Sequence, residues 1–156
     1  MKKSLITSVI VLVCAVAANA QTQDIALSND GKYITSSGEL FNGNLETFYA
    51  GGQIESIYEC NDGAKDGKIT VFYASGITKE TGNFNNGVKN GEWVEYGLDG
   101  KVISVAFYKN DVKHGSWKVW DANGVLRSEM QYNNGQRTGT WKSFNDQGQL
   151  IESITY

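Results

Sequence analysis

Proline is absent from all 156 residues, histidine occurs once and cysteine twice. Without proline, no strand ladder loses an N–H to a pyrrolidine ring. Cys14 lies in the leading apolar stretch, so only Cys60 remains beyond it. That excludes an intrachain disulfide and a cysteine metal cluster in the processed chain. Long apolar runs are also missing. The one at the start, Leu5 to Val16, is shorter than the about 20 residues a membrane span needs, and no later stretch is apolar enough. Positive charge is in deficit, with 14 basic against 17 acidic residues. Loss of Lys2 and Lys3 with the leader takes the basic count to 12 (14 − 2) against 17 acids, a net of −5. A nucleic-acid partner, whose readers neutralise phosphates with basic residues, is therefore not expected.

Residues 1–20 read as a secretory signal. Lys2 and Lys3 supply the charged start, Leu5 to Val16 the apolar run, and Ala18-Asn19-Ala20 the small-residue cleavage site before Gln21. Cys14 follows Val13 rather than a small residue, so it reads as part of the cleaved leader and not as a lipidation site. The expected address is export: periplasmic, outer-surface or extracellular.

What the chain has in quantity is glycine, 18 residues of it. Much of it falls in a stretch of 24 residues written five times, opening at Gly43, Gly67, Gly91, Gly115 and Gly139. A fixed period of this kind is the signature of a repeat architecture. The third column holds Leu45, Ile69, Trp93, Trp117 and Trp141. The sixth is aromatic throughout: Phe48, Phe72, Tyr96, Trp120 and Phe144. The tenth is always glycine: Gly52, Gly76, Gly100, Gly124 and Gly148. The eighteenth reads Cys60, Phe84, Tyr108, Tyr132 and Tyr156. The units run 43–66, 67–90, 91–114, 115–138 and 139–156, preceded by an N-terminal capping segment, 21–42, that does not follow the register.

Each unit reads as a β-hairpin. Strand A covers about positions two to seven and strand B positions eleven to eighteen. Between them lie Leu98-Asp99-Gly100, Ala122-Asn123-Gly124 or Asp146-Gln147-Gly148, turn sequences that tolerate positive φ. The links between units, such as Asn85-Asn86-Gly87 and Asn133-Asn134-Gly135, carry the same chemistry, and each opening glycine is expected in a special conformation. Strand B alternates: Val102, Ala106 and Tyr108 share a parity with Leu126, Met130 and Tyr132. In strand A the third and sixth columns have opposite parity. Either a bulge or bend in that strand brings Trp93 and Tyr96 to one face, the expectation adopted, or aromatics cover both faces. The expected fold is all-β, an elongated twisted antiparallel sheet of successive hairpins, with each unit advancing about 10 Å.

Chemistry-bearing constellations are scarce. His114 shares its column with Asp66, Asn90 and Thr138 and reads as a turn residue. Cys60 replaces an aromatic and reads as a buried, inert thiol. Glu80 and Glu152 share a column with three serines and read as solvated acids rather than a glycosidase pair. Asn61-Asp62-Gly63 lacks the remaining ligands of a calcium loop. No catalytic residue, metal or cofactor is expected. Two features invite a functional reading. Lys65, Lys89, Lys113 and Arg137 form a basic column along one edge, either charge that blocks sheet association or a comb for anionic lipid headgroups or polysaccharide. Leu150, Ile151, Ile154 and Tyr156 lie in a last strand that nothing follows, either a frayed edge or a template for a partner's strand.

The pattern Gly-x-Trp-x-x-Tyr, then a glycine, then an aromatic before Asn-Asn-Gly-x-Lys-x-Gly, resembles the MORN repeat variant over Gly43 to Tyr156. The first two units depart from it, with Leu45 and Ile69 at the tryptophan column. The resemblance implies twisted antiparallel sheets of hairpins. It also implies bacterial relatives that are antitoxin components or exported proteins without an assigned role. It carries no catalytic residues. The function expected is a non-catalytic protein-interaction scaffold, antitoxin- or immunity-like, with a protein partner. The alternative is a cell-envelope lipid- or glycan-binding module, which a row of exposed tryptophans at 93, 117 and 141 would favour.

Overall fold

The computed structural model describes residues 24–156, so the leader at 1–20 lies outside the described residues. The chain begins with a two-stranded ribbon, β1 (Ile25–Leu27) and β2 (Tyr33–Thr35). Five hairpins then follow at the 24-residue period. They are β3 (Gly43–Phe48) with β4 (Ile54–Asn61), and β5 (Ala64–Phe72) with β6 (Thr78–Asn85). After the short β7 (Val88–Lys89) come β8 (Gly91–Tyr96) with β9 (Val102–Lys109), and β10 (Val112–Trp120) with β11 (Leu126–Asn133). The last is β12 (Gln136–Phe144) with β13 (Leu150–Thr155). Every strand pairs antiparallel with its neighbours in chain order, from β3 at one end to β13 at the other, and the sheet does not close. β7 pairs with β6 beside this path.

Two turn types alternate, and the glycine columns follow from them. Within each hairpin the residue at position seven closes a tight turn. Tyr49 N–H bonds Gln53 O at 2.9 Å and Gly52 N–H bonds Tyr49 O at 2.8 Å, and the other four hairpins repeat both bonds. This is a type I turn followed by a left-handed residue, and the tenth-column glycines supply it with φ between 73° and 84°. Between units, both central residues are left-handed: Asp62 and Gly63 have φ of 46° and 70°, Asn134 and Gly135 47° and 83°. Such mirror-image turns match the strand twist and favour Asn, Asp and Gly.

Every hairpin also carries a bulge, and it is not where parity suggested. Glu95 faces Ser104 while Tyr96 faces Val102, so Ile103 is extra. The same step makes Glu55, Lys79, Arg127 and Ile151 extra in the other hairpins. The surplus residue therefore sits in strand B, at position thirteen. Strand A keeps its alternation from position three to six, so Trp93 and Tyr96 stand on opposite faces. The expected bend that would bring both to one face is corrected to aromatics on both faces.

Burial is concentrated at the N-terminal end. Ile25, Phe41, Leu45 and Cys60 form one cluster, with Tyr33 and Tyr58 packed against it, and no described residue beyond Ala106 is fully buried. The ribbon thus covers the first unit, and the small thiol at Cys60 fits where Ile25 and Phe41 take the room that rings fill later. The last two residues of the capping segment also obey the repeat. Phe41 O accepts Gly63 N–H at 3.0 Å, as Lys65, Lys89 and Lys113 carbonyls accept the N–H groups of Gly87, Asp111 and Gly135. Asn42 Oδ1 accepts Asp62 N–H as Asp66 Oδ1 accepts Asn86 N–H. Phe41→Ala should lower unfolding stability by about 3 kcal/mol, read as a lower urea midpoint, because it empties a buried ring site. A midpoint within error of the parent would show that the ribbon does not cap the sheet.

Candidate functional site

The rings of the third and eighteenth columns, joined at one end by Tyr58 at position sixteen, meet on one face and form a continuous chain. Tyr58, Phe84, Trp93, Tyr108, Trp117, Tyr132, Trp141 and Tyr156 follow one another with centroids 5.1–6.2 Å apart. Interplanar angles from Phe84 onward lie between 58° and 85°, the tilted and edge-to-face range that ring quadrupoles prefer. From Trp93 onward exposure grows: Trp93 is buried, Trp117 and Trp141 are half-buried, and Tyr156 is exposed. Trp117 and Trp141 donate Nε1–H to Phe107 O and Gln131 O, each at 3.0 Å. The equivalent acceptor for Trp93 is Asn83 O, which already takes Asn90 N–H, and Trp93 Nε1 has no partner among the described residues. Trp93 instead lies flat on Gly82, where an added Cβ would stand 2.3 Å from ring atom Cδ2. A glycine in that strand is what admits the indole.

The basic column lies over this ladder. Lys65 Nζ stands 3.6 Å from the Tyr58 centroid, Lys89 Nζ 3.7 Å from Trp93, Lys113 Nζ 4.3 Å from Trp117 and Arg137 Cζ 4.5 Å from Trp141. Each also reaches a second ring, between 5.1 and 5.7 Å away. Lys89 Nζ is further held 3.5 Å from Glu80. The four cations are thus in one row, as their spacing suggests, but each is engaged with ring faces. Lys113→Met keeps the aliphatic stem and removes the charge. It should cost about 0.5–1 kcal/mol in urea unfolding, and an unchanged midpoint would show that the stacking contributes nothing.

The other face carries the sixth column, each ring opposite the twelfth position: Phe48 with Ile54, Tyr96 with Val102, Phe144 with Leu150. Tyr49 and Tyr73 hydroxyls donate to Phe72 O and Tyr96 O, tying each turn to the next unit. From the fourth unit onward the same position holds Asp121 and Asn145, whose Oδ1 atoms accept two N–H groups of their own turn. The Val125 and Asn123 N–H groups and the Arg127 guanidinium hold the Asp121 carboxyl below the usual aspartate range. A depressed carboxyl adds stability above its unfolded pKa and loses it as pH falls through the folded one. The midpoint should therefore drop in acid below the ordinary aspartate range. Asp121→Asn, which keeps the turn in Asn145's manner, should flatten that drop, and an unaltered acid profile would remove the assignment.

Among the described residues β13 has only β12 as a neighbour, and all six of its residues are exposed. Leu150, Ile151, Ile154 and Tyr156 are 54, 65, 41 and 47% exposed. The register divides them: Leu150 faces the Phe144 side, Ile154 faces Trp141 on the ladder side, and Ile151 is the bulge residue. His114 Nδ1 accepts Asn134 N–H at 3.4 Å, a turn role. Cys60 is buried, and burial pushes its thiol pKa up, away from reactivity. Glu80 and Glu152 stand in different hairpins, and among the described residues no group of three His, Cys, Asp or Glu side chains could hold a metal. No described helix is long and apolar enough to cross a membrane.

A family model, the MORN repeat variant, matches residues 65–86, 89–110, 113–134 and 137–156. The chain belongs to that family. Each match begins on a residue of the basic column, and the first structural hairpin, β3 with β4, lies outside the matches. No curated protein matches the MORN repeat variant chain described here.

Proposed function

We propose that this MORN repeat variant protein is an exported, non-catalytic scaffold that binds another protein, in the manner of an antitoxin or immunity protein, through the open end of its sheet. The observation that carries the reading is the contrast between the ends. A buried cluster of Ile25, Phe41, Leu45 and Cys60 closes one, while at the other β13 has an edge unpaired among the described residues and, with Tyr156 just after it, four exposed apolar side chains. Unpaired strand edges of this kind recruit further strands. The leader-like residues 1–20 are the support for export. Lipid or glycan capture has less in its favour. The tryptophans do not form an exposed row, since Trp93 is 3% exposed, and the four cations rest on rings.

The test is capture from the host's envelope extract by the parent protein and by an Ile154→Glu/Tyr156→Ala variant shown to be folded by circular dichroism. Proteins held by the parent should be lost from the variant by about tenfold or more, the effect of removing central anchors from an interface. An identical set on both would overturn the reading.

A further inference from the structure

Among the described residues the chain of rings has Tyr156 as its last member. Phe84 touches Tyr58 and Trp93, Tyr108 touches Trp93 and Trp117, and Tyr132 touches Trp117 and Trp141. Tyr156 meets one ring among the described residues, that of Trp141, and its hydroxyl accepts Arg137 Nη1–H at 2.8 Å. Among the described residues β13 is also the last strand of the sheet, with one edge unpaired. β4, β6, β9 and β11 each pair their far edge with the next unit, always in one register. Position fourteen meets position five, as Ser56 meets Val71 and Ser104 meets Val119. Position eighteen meets the basic column: Cys60 meets Lys65, Phe84 Lys89, Tyr108 Lys113 and Tyr132 Arg137. Two residues after each cation comes a left-handed glycine, with φ of 112° at Gly67, 83° at Gly91, 70° at Gly115 and 63° at Gly139. Two residues later comes the third-column side chain, tryptophan in the last three units, under its own cation. β13 has the same face ready, with Glu152, Ile154 and Tyr156 where β11 presents Ser128, Met130 and Tyr132.

A second copy stacked head to tail does not satisfy this edge. The place that an incoming Tyr156 would take beside Phe41 is held by the capping ribbon: Tyr33 O accepts Phe41 N–H at 2.9 Å, and Ile34 bridges Leu40. Building on the scaffold reading above, we propose that the far edge of β13 receives an extended segment of a different protein as an added antiparallel strand. That segment carries a cation, a glycine and a large aromatic residue at i, i+2 and i+4. The cation lies opposite Tyr156, the glycine allows the left-handed step, and the aromatic packs against Ile154 and meets the free edge of the Tyr156 ring. Backbone pairing gives affinity, and the ring and cation give register and specificity.

The test uses a fluorescein-labelled peptide with the sequence of residues 134–146, which holds Arg137, Gly139 and Trp141 at this spacing. It is titrated against the intact protein by fluorescence anisotropy. Saturable binding should weaken by about tenfold or more when the peptide carries Trp141→Ala, and equally when the protein carries Tyr156→Ala. The peptide change leaves the protein untouched, so misfolding cannot mimic it. No binding, or binding indifferent to the peptide's tryptophan, overturns the proposal. So does sedimentation showing that the parent protein self-associates through an edge abolished by Tyr156→Ala, since the occupant is then a second copy. If the peptide fails while envelope capture still depends on Ile154 and Tyr156, only this strand chemistry falls and the interaction scaffold survives.

Discussion

Among the described residues no second layer covers the long sheet, which therefore cannot bury its side chains by stacking on another sheet, and this constraint shapes the rest of the fold. Burial has to run sideways, from one hairpin to the next. Rings achieve that where aliphatic side chains fall short, because strands about 4.8 Å apart leave room that only a large side chain and its neighbour across the ladder can fill. Hence the aromatic columns, the tilted ring contacts from Tyr58 to Tyr156, and the cations laid over them. The hydrogen bonds of the tryptophan nitrogens to the preceding strand belong to the same lateral scheme.

The gradient of burial follows. Each interior unit has a neighbour on both sides, but the first is helped by a ribbon outside the repeat and the last by nothing among the described residues. Leu45 and Ile69 are aliphatic in the tryptophan column at the end where Ile25 and Phe41 supply bulk, and both are buried. Trp117 and Trp141 are only half-buried although larger. The first two units, which depart from the family pattern in sequence, thus lie at the better covered end of the sheet.

Much of this was legible in the residues alone. The glycine columns fixed the hairpin count and both turn sites, because only residues tolerant of positive φ can occupy them, and the turns form there. The parity clash of the third and sixth columns was visible too, but its resolution was not. A bulge at position thirteen leaves no residue-type signature, since Glu55, Lys79, Ile103, Arg127 and Ile151 share no chemistry. Gly82, inside strand β6 and outside the glycine columns, is the floor under Trp93. Phe41 and Asn42 were hidden because the repeat uses the Phe41 backbone carbonyl and only a hydrogen-bond acceptor at Asn42, neither of which fixes a residue type. The basic column was seen as a row, while its attachment to the rings depended on side-chain direction.

The one-sided ribbon gives the sheet a polarity. Every unit presents to its successor the same junction it received from its predecessor, so inserting or deleting a multiple of 24 residues changes the distance between the two ends and nothing about their chemistry. Each added hairpin carries the exposed terminus about 10 Å further from the plugged one. In that sense the protein is a ruler with a fixed zero, and adding or removing a repeat would offer the same tip at a different reach.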